Sequence, residues 1–186
     1  LGDVYKRQLP KASTNSFANE YLVNRKIDPD KFYYADKFME WTNTQKQTFD
    51  TITRDESRIV IPMYDENKNL IGFQGRALGK SFTKYITVML NEESPKIYGL
   101  EKVDSTKPIY IVEGPFDSTF IQNAIAMCGS DVDIGSFNWS NYIYVFDNEP
   151  RNREIVNRIS KTIGRGNKVV TVSYTHLTLP TRSTGG

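Results

Sequence analysis

The sequence predicts an α/β protein in which a smaller α+β lobe precedes a mostly parallel sheet with flanking helices. From Lys107 onward, short apolar runs alternate with helical patterns, as expected for β-α-β units whose strands run parallel. Before that point, apolar runs are separated by turn residues, a pattern typical of antiparallel hairpins. We therefore expect three units: a helical segment over residues 9–56, a strand-rich basic lobe over 57–105 and the parallel-sheet domain over 106–171.

The first unit is predicted to be helical because apolar and aromatic side chains recur at helical spacing over residues 14–41. Asp28-Pro29-Asp30 predicts the start of a second short helix that reaches Trp41, and the polar residues 42–56 predict a linker. In the second unit, the pattern indicates a hairpin with its turn at residues 66–69. The expected strands are 58–65, 70–76 and 84–89, followed by a short helix or connection at 96–102.

The third unit is predicted from the alternation of short apolar runs with longer amphipathic segments. A Gly-Arg-Gly-Asn sequence at 164–167 provides the end of a helix and a turn. The expected strands are 108–113, 125–128, 142–147 and 168–171, with helices at 116–125 and 150–164.

Both ends of the chain are predicted to be foreign to the fold. Residues 3–8 and 172–177 can be encoded by one DNA element read in opposite directions, which resembles a transposase end used in sequencing libraries. We therefore expect residues 1–8 and 172–186 to be translated adapter, and we exclude them from the fold prediction. The natural protein is then expected to be cut at both ends.

The composition between these ends excludes several kinds of site. The sole histidine, His176, lies in the excluded region, and Cys128 is the sole cysteine, so no histidine ligand, internal disulfide or multi-cysteine zinc site is expected. Acidic and basic side chains balance there, so nucleic-acid binding requires a local basic patch. No membrane span or signal peptide is apparent, and we expect a cytoplasmic protein with no membrane partner.

Carboxylates follow two of the predicted parallel strands. Glu113 ends one strand with Asp117 four residues later, and Asp147 and Glu149 end another. Residues just past the carboxyl ends of parallel strands face the ligand crevice, and crowded carboxylates are stabilised there by a hard cation such as Mg²⁺ or Mn²⁺. On an extended backbone, Asp147 and Glu149 point to one face. We predict that Glu113, Asp147 and Glu149 are catalytic metal ligands for phosphoryl transfer; Asp117 either joins them through water or lies at a helix N-terminus.

The spacing Glu113-Gly-x-x-Asp117 followed by Asp147-x-Glu149 resembles the acidic motifs of TOPRIM domains, which topoisomerases, primases and some nucleases share. The usual second motif is Asp-x-Asp, so Glu149 departs from it. Upstream, several stretches resemble the RNA-polymerase core of bacterial-type DNA primases, most of all that of a phage primase subunit. These stretches are 18–25, 58–65, 71–78 (with Gln74 in place of a glycine), Lys84-Tyr85 and 97–100.

The resemblance implies a DNA primase that joins ribonucleoside triphosphates into short RNA primers on a single-stranded DNA template, with magnesium and a replicative helicase partner. It implies that Arg76 and Lys84 contact the phosphates of the incoming nucleotide or the template, and that Arg58 and Lys96 border this basic surface. The glycines beside Arg76 indicate that a ligand approaches the backbone closely there. Zinc is expected only in a cysteine-rich module upstream of this chain.

Two other functions remain open from the sequence. A TOPRIM nuclease or repair protein would share the carboxylates without needing Arg76 and Lys84, and a non-catalytic nucleic-acid-binding replisome subunit would bind template without magnesium. The resemblance also implies further carboxylates after the strand that ends at Thr171. Residues 9–171 alone are therefore expected to bind metal and nucleotide while being nearly inactive in primer synthesis.

Overall fold

A computed structural model of the chain describes residues 9–129 and 132–173. Within these residues, a four-stranded antiparallel sheet precedes a five-stranded, mostly parallel sheet, which confirms the predicted fold class. The helices are α1 (Ser16–Val23), α2 (Phe38–Gln45), α3 (Pro115–Ser118) and α4 (Arg153–Gly164). The strands are β1 (Tyr33–Ala35), β2 (Arg58–Tyr64), β3 (Leu70–Ala77), β4 (Tyr85–Met89), β5 (Ile97–Tyr98), β6 (Ile109–Val112), β7 (Ala124–Met127), β8 (Tyr142–Asp147) and β9 (Lys168–Val172). No helix of this part of the chain is long and apolar enough to cross a membrane.

The N-terminal segment contains a strand that the sequence prediction missed. Asn15 caps α1 by accepting a hydrogen bond from the Ala18 amide. The expected second helix from Asp28 to Trp41 is wrong, because Asp28 caps only a 3₁₀ turn and β1 follows it. β1 pairs with β2, so a tertiary contact outweighs the weak local helical pattern, and α2 then begins separately at Phe38.

The predicted hairpin is confirmed as β2 and β3, and β4 extends the antiparallel sheet. Asp65 organises the turn because its carboxylate accepts hydrogen bonds from the amides of Asn67 and Asn69. These hydrogen bonds lower the pKa of Asp65, with the side chain of Asn69 contributing most.

The glycine at position 75 makes room for the core and not for a ligand. A Cβ added there would lie 2.5 Å from Cζ of Phe38, whose ring is fully buried. At Gly72, an added Cβ would lie 2.6 Å from the carbonyl oxygen of Val88. The interpretation that these glycines mark the approach of a ligand beside Arg76 is therefore wrong, because protein atoms occupy the space.

Gly75→Ala is expected to lower the free energy of unfolding by about 1–3 kcal/mol, the usual cost of overpacking a filled core. Urea denaturation measures it. Gly79→Ala is the matched control, because nothing lies within 4 Å of the added Cβ. Equal unfolding midpoints for the two variants would show that the Phe38 ring shifts without cost.

The parallel sheet has the strand order β5-β7-β6-β8-β9, in which only β5 runs antiparallel to its neighbour. The chain passes from β6 to β7 on one side and then to β8 on the other side of β6. The order in which the chain adds strands therefore changes direction between β6 and β8. In open α/β sheets, ligands bind outside the carboxyl ends of the two strands at which this change occurs. Glu113 and Asp147 lie at these two ends.

The elements of this sheet differ in detail from the prediction. α3 ends at Ser118, because Asn123 adopts a positive φ of 55° and donates to the carbonyls of Asp104 and Pro108, which turns the chain early into β7. β5 lies within the predicted basic lobe but pairs with β7. β9 extends one residue past the expected strand end. Residues 1–8 and 174–186 of the predicted adapter segments lie outside the described residues.

The two sheets share a continuous apolar core beneath the cleft between them. Phe32 from the N-terminal segment packs edge-to-face on Phe116 of α3, with ring centroids 5.3 Å apart. The same cluster joins Leu22 of α1, Met63 of β2 and Val145 of β8. This core fixes the antiparallel sheet relative to the carboxyl ends of β6 and β8.

Candidate active site

Glu113 and Asp117 are brought together by the tight connection from β6 to α3. An added Cβ at Gly114 would lie 2.7 Å from Oδ2 of Asp117, so the absence of a side chain there lets this carboxylate fold back toward the end of β6. Glu113 follows β6 directly and is three-quarters buried. Both residues therefore face the same edge of the sheet, as predicted.

Asp147 ends β8 and lies within the electrostatic reach of the other three carboxylates. Its pKa is raised from 3.8 to about 6, first by burial and then by repulsion from Glu113, Asp117 and Glu149. Glu113, Asp117 and Asp147 line one small cavity, so the structure brings these three acids to the same edge of the sheet.

Glu149 is near Asp147 but does not share its strand. The Glu149 amide donates to the Asp147 carbonyl at 2.9 Å, so the backbone turns at Asn148 instead of remaining extended. Its Oε2 accepts a hydrogen bond from the side chain of Asn152, the residue that caps α4. The expectation that an extended backbone places both acids on one face is therefore wrong, and Glu149 is exposed at the rim.

Arg158 of α4 forms an ion pair with Oε1 of Glu113, a contact that sequence reasoning missed. Its guanidinium lies 5.4 Å from the centroid of the Phe146 ring. Arg158 is three residues after the buried Ile155, so it lies on the helix face that packs against the sheet. This spacing could have predicted the contact from the sequence. One cation therefore offsets part of the charge of the four acids.

The donor set fits a hard divalent cation. Its members are carboxylate oxygens, and repulsion from the neighbouring acids adds to burial in raising the pKa of Asp147. Among the described residues, no three Asp, Glu, His or Cys side chains already stand at metal-binding spacing. Side-chain rotation would be needed to complete a coordination shell.

Beside these acids lies a cavity of about 320 Å³ with cations on one wall and carboxylates on the other. Burial and the neighbouring charge of Arg76 lower the pKa of Lys84, and Arg25 lowers it further, so these cations repel one another. An anionic ligand would relieve that repulsion. The lining residues are Tyr21, Arg25, Ile27, Arg76, Lys84, Tyr85, Phe116, Asp117, Phe120 and Asp147.

Arg76 is held between two aromatic side chains in this cavity. Its Nε donates to the Tyr21 hydroxyl at 3.1 Å, and its guanidinium lies 4.7 Å from the centroid of the Tyr85 ring. Its Nη1 is buried and has no hydrogen-bond partner in the described part of the chain. Arg25, which was not predicted as a site residue, lies in the turn just after α1, and its guanidinium is 3.6 Å from the Tyr21 centroid. Its position four residues after Tyr21 was the available signal.

Arg58 and Lys96 do not join Arg76 and Lys84. Arg58 is only 2% exposed and donates to the carbonyls of Gly75 and Thr83, so it is not positioned to touch a nucleotide or template as predicted. Because Arg58 lies at the start of a strand, its side chain was expected to be an exposed charge. Its hydrogen bonds across the sheet join distant parts of the sequence, so local patterns could not predict them. Lys96 lines a separate depression of about 720 Å³, where acidic side chains disfavour a polyanion; these are Glu66, Glu92, Glu93 and Asp133.

Comparisons with known proteins show which class of protein this chain resembles. Residues 30–103 match the family described as DNA primase catalytic core, N-terminal domain. This stretch contains the antiparallel sheet, with Arg76 and Lys84. These residues are therefore similar to the N-terminal domain of DNA primase catalytic cores.

Individual relatives agree with this class. The chain is 36% identical over 156 residues to the DNA primase of Enterobacteria phage T4, a match that covers 81% of this chain and 45% of that protein. The chain thus spans less than half the length of this relative.

The fold agrees with solved primase structures. It matches the zinc-binding and RNA polymerase domains of the Aquifex aeolicus primase with a TM-score of 0.66 and 22% identity, over 92% of this chain and 53% of the other. A DnaG primase catalytic domain bound to single-stranded DNA matches with a TM-score of 0.64 and 18% identity, over 92% and 71%. At these identities the comparison establishes the fold of DnaG primase catalytic cores.

Proposed function

We propose that this chain is the catalytic core of a DNA primase, which makes short RNA primers on single-stranded DNA by magnesium-dependent nucleotidyl transfer. The observation that carries the proposal is the cavity in which Arg25, Arg76 and Lys84 face Asp117 and Asp147. A nucleoside triphosphate bridged to a divalent cation has the charge pattern that complements these two walls. The relationship to a phage DNA primase supports the same activity.

In this proposal, the acidic and the basic side chains of the site have different roles. Glu113, Asp147 and Glu149, with Asp117 directly or through water, would hold the cation. When bound, the cation would supply charge neutralisation for the phosphates and lower the pKa of the attacking hydroxyl. The side chain of Arg158 keeps Glu113 oriented toward the site.

The basic wall would bind the triphosphate. The guanidinium of Arg76 lines the cavity and would bind a phosphate oxygen, while Tyr21 and Tyr85 hold its plane in place. Lys84 and Arg25 add charge on either side. Single-stranded DNA and ribonucleoside triphosphates are the proposed ligands, and a replicative helicase is the proposed partner; a DnaG domain solved with single-stranded DNA supports the first.

The test measures incorporation of labelled ribonucleotides on single-stranded DNA with Mg²⁺. It uses this chain and, in parallel, the reading frame extended through the source DNA on both sides. We expect RNA product from the extended protein and very little from this chain alone. In the extended protein, Glu113→Gln should reduce the product about 100-fold or more because a proposed metal ligand is lost. Glu66→Gln, an exposed turn residue, is the matched control.

The alternatives give different products. Cleavage of the DNA without RNA synthesis would indicate a nuclease on the same fold. Template binding that survives both Glu113→Gln and removal of magnesium, with no RNA product from either protein, would indicate a non-catalytic binding subunit.

A further inference from the structure

The loop of residues 78–84, which connects β3 to β4, presents a single aromatic ring to solvent. The side chain of Phe82 has a relative exposure of 108%, whereas no other large apolar side chain in the described residues exceeds 56%. A phenylalanine left fully in water gains nothing from the folded state. Its exposure leaves the whole ring free to contact a ligand or a partner.

The backbone on both sides of Phe82 is held in place. The buried guanidinium of Arg58 donates to the Thr83 carbonyl at 2.8 Å and to the Ser81 hydroxyl at 3.2 Å. The Ser81 hydroxyl in turn donates to Glu56 at 2.5 Å. The ring is thus presented from a braced loop, and a ligand would not have to order that loop first.

The surroundings of the ring are basic and lead to the candidate active site. Lys80 and Lys84 lie two residues before and two residues after Phe82, and both are exposed. Lys84 lines the cavity, and Arg76 pairs with Tyr85 at the base of the same hairpin. A ligand on Phe82 would therefore lie beside positive charge that continues to the cavity.

We propose that Phe82 stacks on a base of the single-stranded DNA template next to the nucleotide cavity, an inference that rests on the proposed primase function. A single strand combines unpaired aromatic faces with an anionic backbone, which matches one exposed ring flanked by lysines. A protein partner fits less well. The neighbours of the ring are glycine, serine, threonine and lysine, and a stable protein interface needs an apolar area far larger than one side chain.

The experiment compares the affinities of an oligothymidylate and an abasic oligonucleotide of the same length, by fluorescence anisotropy. We expect Phe82→Ala to weaken binding of the oligothymidylate about tenfold and to leave the abasic strand unaffected, because only the first offers bases to stack. Phe82→Trp should retain the affinity. Phe17→Ala, which removes an exposed phenylalanine from α1, is the matched control and should change neither affinity.

The outcomes separate this inference from the proposed function. Equal affinities of Phe82→Ala and the unaltered chain for the oligothymidylate would overturn stacking and leave the primase proposal standing. An equal loss on both strands would also overturn it, since the contact would then be to the backbone. If the unaltered chain binds neither strand, template binding itself fails and stacking fails with it.

Discussion

Asp147→Asn is expected to stabilise the metal-free protein at neutral pH and to abolish the proposed magnesium-dependent activity. Burial of the side chain, followed by repulsion from Glu113, Asp117 and Glu149, raises its pKa to about 6. The amide keeps the shape of the side chain and removes the repelled charge. Activity is lost because the proposed cation loses a ligand.

The pH dependence of this effect has a definite sign. The unfolded chain releases the proton near the ordinary pKa of 3.8, whereas the folded chain holds it until about pH 6. Stability relative to the asparagine variant is therefore highest below about pH 4, falls between these values and stays low above pH 6. After allowance for solvent screening of a half-buried group, we expect the variant to gain about 1–2 kcal/mol at pH 7.5, or about 2–8 °C in melting temperature.

Thermal unfolding in EDTA at several pH values measures this gain. Asp50→Asn, an exposed aspartate, is the control and should show no comparable shift. Added Mg²⁺ should raise the melting temperature of the unaltered chain more than that of Asp147→Asn, since binding to the folded state stabilises it. A destabilised Asp147→Asn would contradict the view that the carboxylate carries uncompensated charge.

Arg158→Met is expected to lower both stability and activity. Its loss leaves Glu113 without its ion pair and brings the full charge of that acid to bear on Asp147. Because the Arg158 and Glu113 side chains are only partly exposed, 40% and 26%, we expect a cost of about 1–2 kcal/mol. We also expect nucleotidyl transfer to fall about 10- to 100-fold, as when a group that orients a metal ligand is removed.

Urea denaturation and primer synthesis test this with a double-mutant cycle that adds Glu113→Gln. The stability cost of Arg158→Met should shrink when Glu113 is already neutral. Arg158→Lys should retain most of the stability and recover only part of the activity, because a point charge orients a carboxylate less well than a planar guanidinium. Arg153→Met, at the exposed start of α4, is the control. If Arg158→Met costs the same stability with and without Glu113→Gln, then Arg158 and Glu113 do not interact.

The parallel sheet and the meeting of its acids were predictable because both follow from local patterns. Apolar runs that alternate with helical segments define β-α-β units, and the carboxyl ends of parallel strands necessarily lie at one edge of a sheet. Glu113 and Asp147 therefore lie at one edge of the sheet whatever the details of packing. The hairpin of β2 and β3 follows in the same way from its turn residues.

Local sequence patterns could not identify which basic side chains line the cavity. Arg58 and Arg76 both occur in apolar strands, yet one is buried against the loop that presents Phe82 and the other lines the cavity. Arg25 reaches the same cavity from the turn after α1, and the contact between Tyr21 and Arg76 spans 55 residues of sequence.

Residue type and period therefore identify the strands and the acids that follow them. Which cations face those acids, and where α3 and β1 begin and end, depends on contacts between distant segments. Such contacts arise only once the two sheets close on their shared core, since burial and neighbouring charge then select among side chains that are equivalent in the unfolded chain.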